Sequence, residues 1–151
     1  MRKIIFCLVF VMCSSTTSSI NEDVPLEDFE AVPLETNIVF ENQYGDLISE
    51  DLTNKKTLVI FWADYWGICR EELPLLENKL EELSETYDVL ALAHSDPIPT
   101  MEWVSNNLNG NLQIGFSTKA LRDSLQVVGQ PITIIFDTNG EILSREFGYI
   151  P

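Results

Sequence analysis

Three cysteines and one histidine are the residues of this 151-residue chain best suited to covalent or metal chemistry, and their spacing decides what kind. Cys7 lies inside an apolar N-terminal run, Cys13 ends it, and Cys69 stands alone in Trp66-Gly67-Ile68-Cys69-Arg70, where a helical pattern begins. Disulfide exchange needs a thiolate at the exposed N-terminus of a helix, where the dipole lowers its pKa, and a second thiol to resolve the mixed disulfide. Once Cys7 leaves with a leader and Cys13 is acylated or lost, Cys69 has no intrachain partner. The mature domain then cannot cycle a disulfide internally. Cys69 is left either as a monothiol that accepts a mixed disulfide from a partner, or as a small core hydrophobe. His94, between a strand pattern and Ser95-Asp96, has no ligand-spaced companion, so no metal is implied and it reads as a satisfied loop histidine. There is no glycine-rich phosphate loop and no nucleophile elbow, and the residues call for no cofactor.

Around Cys69 stand three aromatic residues. Trp62 belongs to an apolar run and reads as core, whereas Tyr65 and Trp66 are expected near the surface, where they pack or form a binding patch.

The elements that must position these residues follow from periodicity. Ile38-Val39-Phe40, the turn Tyr44-Gly45-Asp46 and Leu47-Ile48 predict a hairpin. Thr57–Ala63 is a nearly unbroken apolar run expected of a strand covered on both faces. Leu73, Leu76, Leu80, Leu83 and Tyr87 recur at helical spacing, with Glu71, Glu72, Glu77, Glu81, Glu82 and Glu85 around the rest of the wheel, and Pro74 is expected to bend this helix. Val89–Ala93 predicts a second buried strand. Thr100 and Ser117 are candidate caps of two further helices carrying Met101, Val104 and Leu108, and Leu121 and Leu125. Pro131 opens a strand over 132–136, and Asn139-Gly140 turns the chain into a returning strand over 141–147. Strand, helix, strand, helix and hairpin describe an α/β layered sheet.

The segment Phe61-Trp62-Ala63-Asp64-Tyr65-Trp66-Gly67-Ile68-Cys69-Arg70-Glu71-Glu72-Leu73-Pro74 resembles the F-W-A-x-W-C-x-x-C-R-x-E-x-P signature of TlpA-like and ResA-like bacterial envelope thiol–disulfide oxidoreductases. Gly129-Gln130-Pro131-Ile132-Thr133 resembles their G-x-P-T-T segment, and Phe136–Ile142 their I-D-x-x-G-x-I hairpin. The resemblance covers about residues 38–150 and implies a thioredoxin-like α/β fold: a central mixed sheet with helices on both faces, preceded by an N-terminal β-hairpin extension. It implies that Pro131 is cis and faces the active site, that Gln130 presents backbone to a bound peptide, and that the partners are extracytoplasmic protein or peptide thiols. The departure is at Trp66, which stands where the family has its nucleophilic cysteine, with Tyr65 in place of tryptophan. Cys69 maps to the resolving position, one turn into the helix.

The family continues into a C-terminal helix beside the active-site helix, and this chain stops at Pro151. The expectation is a fragment with that helix missing. A genuine end would imply a homodimer or a partner over an apolar sheet face left open.

The N-terminus reads as an export signal over residues 1–13: Arg2 and Lys3, then nine apolar residues from Ile4 to Met12, too few to span a bilayer. Cys13 and the following Ser/Thr run resemble a lipoprotein signal, with Cys13 acylated as a membrane tether. Phe10, Val11 and Met12 depart from its usual residues, and simple cleavage near Ser15 to Ser19 is the other reading. Residues 14–36 are polar and acidic and predict a flexible linker, leaving a domain over 37–151 of roughly 110 to 120 residues, enough for one core. The location implied is the cell envelope, on the periplasmic side, lipid-anchored or otherwise secreted. Losing Arg2 and Lys3 takes the net charge from −15 to −17 (−15 − 2), which excludes nucleic acid as a natural partner and leaves a solvated acidic surface.

Three functions of different class stand on these residues. One is a thiol–disulfide oxidoreductase-like protein working through Cys69 alone. Another is a non-catalytic module that holds an extended peptide through Tyr65, Trp66 and the Pro131 loop. The third is a single-cysteine peroxidase, whose P-x-x-x-[ST]-x-x-C pattern is missing, because Trp62 and Trp66 occupy its proline and hydroxyl positions.

Overall fold

The structure is a computed structural model and describes residues 36–148. The signal segment, Cys13 and the linker up to residue 35 lie outside the described residues, as do residues 149–151. Among the described residues no helix is long and apolar enough to cross a membrane.

One seven-stranded mixed sheet organises the chain: β1 (Asn37–Glu41), β2 (Leu47–Asp51), β3 (Lys56–Trp62), β4 (Tyr87–Ala93), β5 (Gln113–Phe116), β6 (Ile132–Phe136) and β7 (Ile142–Phe147), in the spatial order β2-β1-β5-β4-β3-β6-β7. β3, β4 and β5 are parallel, and β6, β7, β1 and β2 pair antiparallel. The helices are α1 (Gly67–Asn78), α2 (Leu80–Leu83), α3 (Pro97–Asn107) and α4 (Lys119–Ser124). Two successive right-handed crossovers, β3 to β4 and β4 to β5, put α1 and α3 on one face. The reversal from β5 to β6 sends α4 to the other.

The two faces bury separate cores, which explains the unbroken apolar run of β3. Leu58, Ile60 and Trp62 meet Cys69, Leu73 and Leu76 of α1 and Val104 of α3. Val59 and Phe61 alternate into the second core with Ile132, Ile134 and Phe136, under Leu121 and Leu125. Each such side chain contributes about 1.5–3 kcal/mol on leaving water. The spacing Cys69, Leu73, Leu76 is one helix stripe, so the cysteine is built into the packing side of α1.

Several expectations need correction. The helix expected to run to Tyr87 ends at Asn78; a short turn of helix follows, and Tyr87 opens β4. α3 is capped by Asp96, whose carboxylate accepts from the Ile98 N–H at 2.9 Å with Pro97 in the first turn, while Thr100 is buried inside the helix. α4 is capped by Thr118, and Ser117 donates its hydroxyl to the Ala93 carbonyl instead. β5 had no counterpart in the sequence reading. Its Gly115 has no room for a side chain, because a β-carbon there would come within 2.4 Å of the Phe40 ring. Gly140 closes the β6–β7 turn with φ 80°, a left-handed conformation open to glycine. The sheet face expected to be apolar beside α1 is mixed: alternation sends Ile132, Ile134 and Phe136 to the α4 side, leaving Thr133 and Ile135 with Ser144 and Glu146 of β7.

Candidate functional site

The site residues lie where β3 ends. Open α/β sheets take ligands outside the carboxyl ends of their parallel strands, and here Ala63 and Asp64 stay buried while Tyr65, Trp66 and Ile68 emerge, 60%, 45% and 50% exposed. Trp66 is the N-cap of α1 with extended backbone and gives the helix no side-chain cap. Its N–H donates to the Ala63 carbonyl at 3.2 Å, and its own carbonyl accepts from Arg70 N–H at 3.2 Å. The Arg70 guanidinium turns back to the Asp64 carbonyl, pinning the loop to the first turn of the helix.

Cys69 is a free cysteine with no solvent exposure. Burial pushes its thiol above the ordinary 9.0, and the Glu72 charge adds to that; the Ala63 N–H opposes both. Glu72 Oε2 is itself buried without a hydrogen-bond partner, and a β-carbon at Gly148 would stand 3.7 Å from Glu72 Oε1, so the glutamate reaches the end of β7. This is the inverse of an exchange nucleophile: a neutral thiol facing the core with a carboxylate behind it.

The Gln130–Pro131 peptide is cis, and Pro131 is buried at the start of β6. The antiparallel register Phe61↔Ile132 sets Pro131 across from Trp62, next to the loop carrying Tyr65 and Trp66. The Pro131 carbonyl accepts from Gly148 N–H at 2.9 Å. Gln130 is half-buried and Val128 is 89% exposed on the approach. Tyr65, Trp66, Gln130 and Pro131 therefore lie at the same end of the sheet, where β3 finishes and β6 begins, and Cys69 is buried in the first turn of α1.

Two polar arrangements at this edge escaped sequence reasoning. Asp64, 7% exposed, accepts from Thr100 Oγ1 at 3.1 Å, and Thr100 Oγ1 lies 2.8 Å from Ser95 Oγ, tying the β3 end to α3. Tyr65 Oη lies 3.0 Å from His94 Nε2. His94 is not the satisfied loop histidine expected, since its Nδ1 is buried without a hydrogen-bond partner. Burial and then the Arg122 charge push this imidazole below its ordinary 6.5, with the Trp62 carbonyl pulling the other way, so the ring is neutral at neutral pH. The pairings join residues 29 and 36 positions apart, and no local motif announces them. Among the described residues no group of three or more His, Cys, Asp or Glu side chains is placed to hold a metal ion.

No protein-family model matches the chain. The thioredoxin-like protein YneN of Bacillus subtilis is 26% identical over 102 residues, 66% of this chain and 60% of YneN, so the chain spans less than two thirds of that relative's length. Among solved structures, StoA from Bacillus subtilis superposes with TM-score 0.65 at 19% identity, covering 80% of this chain and 92% of StoA. The pneumococcal exposed lipoprotein thioredoxin from Streptococcus pneumoniae strain TIGR4 gives 0.65 at 20% identity, covering 76% and 91%. The thioredoxin domain of a thiol-disulfide oxidoreductase from Bacteroides vulgatus gives 0.63 at 20% identity, covering 75% and 85%. With the seven-stranded mixed sheet, the helices on both faces and these neighbours together, the chain has the thioredoxin-like fold, the fold shared by thiol–disulfide oxidoreductases.

Proposed function

We propose that this protein is an extracytoplasmic, thioredoxin-like member of the TlpA/ResA-like lineage in which dithiol exchange has given way to binding. Tyr65, Trp66 and the Gln130–Pro131 loop hold an extended polypeptide segment, and Cys69 is a core residue beneath them. The observation that carries this reading is the inversion at α1: the aromatic side chains in the exchange position are exposed, while the remaining thiol has no exposure and a raised pKa. A buried neutral thiol is a poor nucleophile, whereas exposed aromatics are the residue types that anchor peptides. The N-terminal signal and Cys13 support an envelope location with a lipid tether. One structural neighbour is by name an exposed lipoprotein thioredoxin.

The test is the rate of Cys69 alkylation against pH, with the Trp66→Cys variant alongside. Slow labelling with a midpoint above 9.0 is expected. Trp66→Cys is expected to gain a disulfide with Cys69 and insulin reduction, by restoring the missing helix-start thiol. Fast labelling near neutral pH in the unmodified protein would overturn the binding reading in favour of monothiol exchange. Polypeptide binding is expected to survive Cys69→Ala, a change that would abolish either monothiol exchange or a peroxidase.

A further inference from the structure

Tyr65 is exposed, yet the tip of its ring is held. Its hydroxyl meets His94 Nε2 at 3.0 Å, and the two rings stand edge to face with centroids 6.1 Å apart. His94 is a rigid post: it follows β4 directly, and its backbone N–H donates to the Trp62 carbonyl at 3.1 Å, extending the β3–β4 ladder by one rung. The loop it grips has few other ties. Trp66 lends α1 no side-chain cap, and the other anchors are its own backbone bonds to Ala63 and Arg70, the Arg70 guanidinium contact and the bonds of Asp64.

We propose that His94 is the positioning residue of the aromatic surface: its imidazole fixes Tyr65, and through Tyr65 the loop that presents Trp66 to a bound polypeptide. The inference rests on the binding reading above. Its physical basis is preorganisation, because an exposed aromatic held before the partner arrives has less rotamer freedom to lose on binding. Tyr65 stands where the resembled family has tryptophan, and a tryptophan there has no hydroxyl with which to reach a histidine.

The hold is also sensitive to acid. Arg122 of α4 is the charged side chain that acts on the imidazole, and Tyr65 is the ionisable group bonded to it. A second proton makes the half-buried ring a cation, which burial and the Arg122 charge both disfavour, with the Trp62 carbonyl opposing them. The folded value lies below the ordinary 6.5, so the gripped state is complete above 6.5 and is lost as pH falls through that lower value. Acid therefore favours a turned-out imidazole and a released Tyr65.

Because His94 is the sole histidine, its ring resonances are unique, and NMR on the purified protein tests the hold without a ligand. The Trp66 indole signal is identified by its loss in Trp66→Phe. The Tyr65 ring and Trp66 indole signals are expected to shift and broaden with the histidine's own midpoint, and to stay constant over that range in His94→Gln, whose amide keeps a polar tip for Tyr65. Signals that ignore the histidine midpoint, or move identically in His94→Gln, would overturn the proposal. A second arm measures fluorescence anisotropy with S-carboxamidomethylated insulin B chain, an extended probe without a free thiol. Tyr65→Phe and His94→Ala are each expected to weaken binding about fivefold, with the double variant no worse than either. Additive losses would overturn the coupling. A probe that fails to bind the unmodified protein would count against the binding reading, and the NMR arm would still decide the role of His94.

Discussion

Glu72 and Glu77 lie five residues apart on α1, and their surroundings are opposite. Glu77, at the far end of the helix and 6% exposed, takes the backbone N–H groups of Asn109 at 2.7 Å, Asn111 at 2.9 Å and Leu112 at 3.4 Å. Burial alone would raise its pKa, and these donors, with Gly110, outweigh it and hold the carboxyl below its ordinary 4.5. It clamps the α3–β5 connection onto α1. Glu72, near the helix start, keeps one carboxylate oxygen buried with no donor, and its charge makes the Cys69 thiolate harder to form. Where a carboxylate serves the fold, its oxygens are satisfied. Near the helix start, beside Cys69, one is left without a donor, an arrangement that stability alone does not favour.

The strongest break of this comparison is Glu77→Ala. Removing the carboxylate strands three backbone donors in a buried connection, and the expected loss is about 3 kcal/mol, read as a lower urea midpoint. Glu77→Gln sharpens it: one amide oxygen still accepts, but the NH₂ faces an N–H, so about half that loss is expected. With its pKa lowered, Glu77 contributes its full stabilisation above 4.5, and the contribution is lost as pH falls through the lower folded value. The urea midpoint should fall less steeply between about pH 5 and 3 in Glu77→Gln than in the unmodified protein. Equal slopes would show that the clamp does not depend on charge.

The clamp was not legible in the sequence, and the reason is general to this molecule. Glu77 reads as one more glutamate on the polar side of a helix, because its partners are 32 to 35 residues away. β3 and α1 were readable, since a strand buried on both faces writes an unbroken apolar run and Cys69, Leu73 and Leu76 write a helix stripe. β5 was not, because Gln113-Ile114-Gly115-Phe116 has only four residues and one of them is glycine, so Ile114 and Phe116 alone carry its alternation. Pairing with β4 and the Phe40 ring over Gly115 make it a strand. Thr100 looked like a cap because hydroxyls often are, but Asp96-Pro97 is the stronger start and frees Thr100 for Asp64. Within the site, Tyr65, Trp66, Cys69 and Pro131 were legible because contiguous motifs carry them. The grip of His94 on Tyr65 was not, since it depends on two strands ending side by side.

Glu72→Gln is the smallest break and the most discriminating. The substitution keeps the volume and removes the charge, and Oε2 accepts no hydrogen bond in the native state, so stability should change by less than about 1 kcal/mol. The thiol should move instead. The Glu72 charge is one of the two causes that raise Cys69, the smaller after burial, so neutralising it should lower the thiol pKa part of the way towards 9.0 and speed alkylation at a fixed pH below that value. If Glu72→Gln costs as much stability as Glu77→Gln, the contrast between the two ends of α1 fails and both glutamates are structural. If stability holds and alkylation quickens, Glu72 acts on the sulfur through its charge, and the two ends of α1 use their carboxylates in opposite ways.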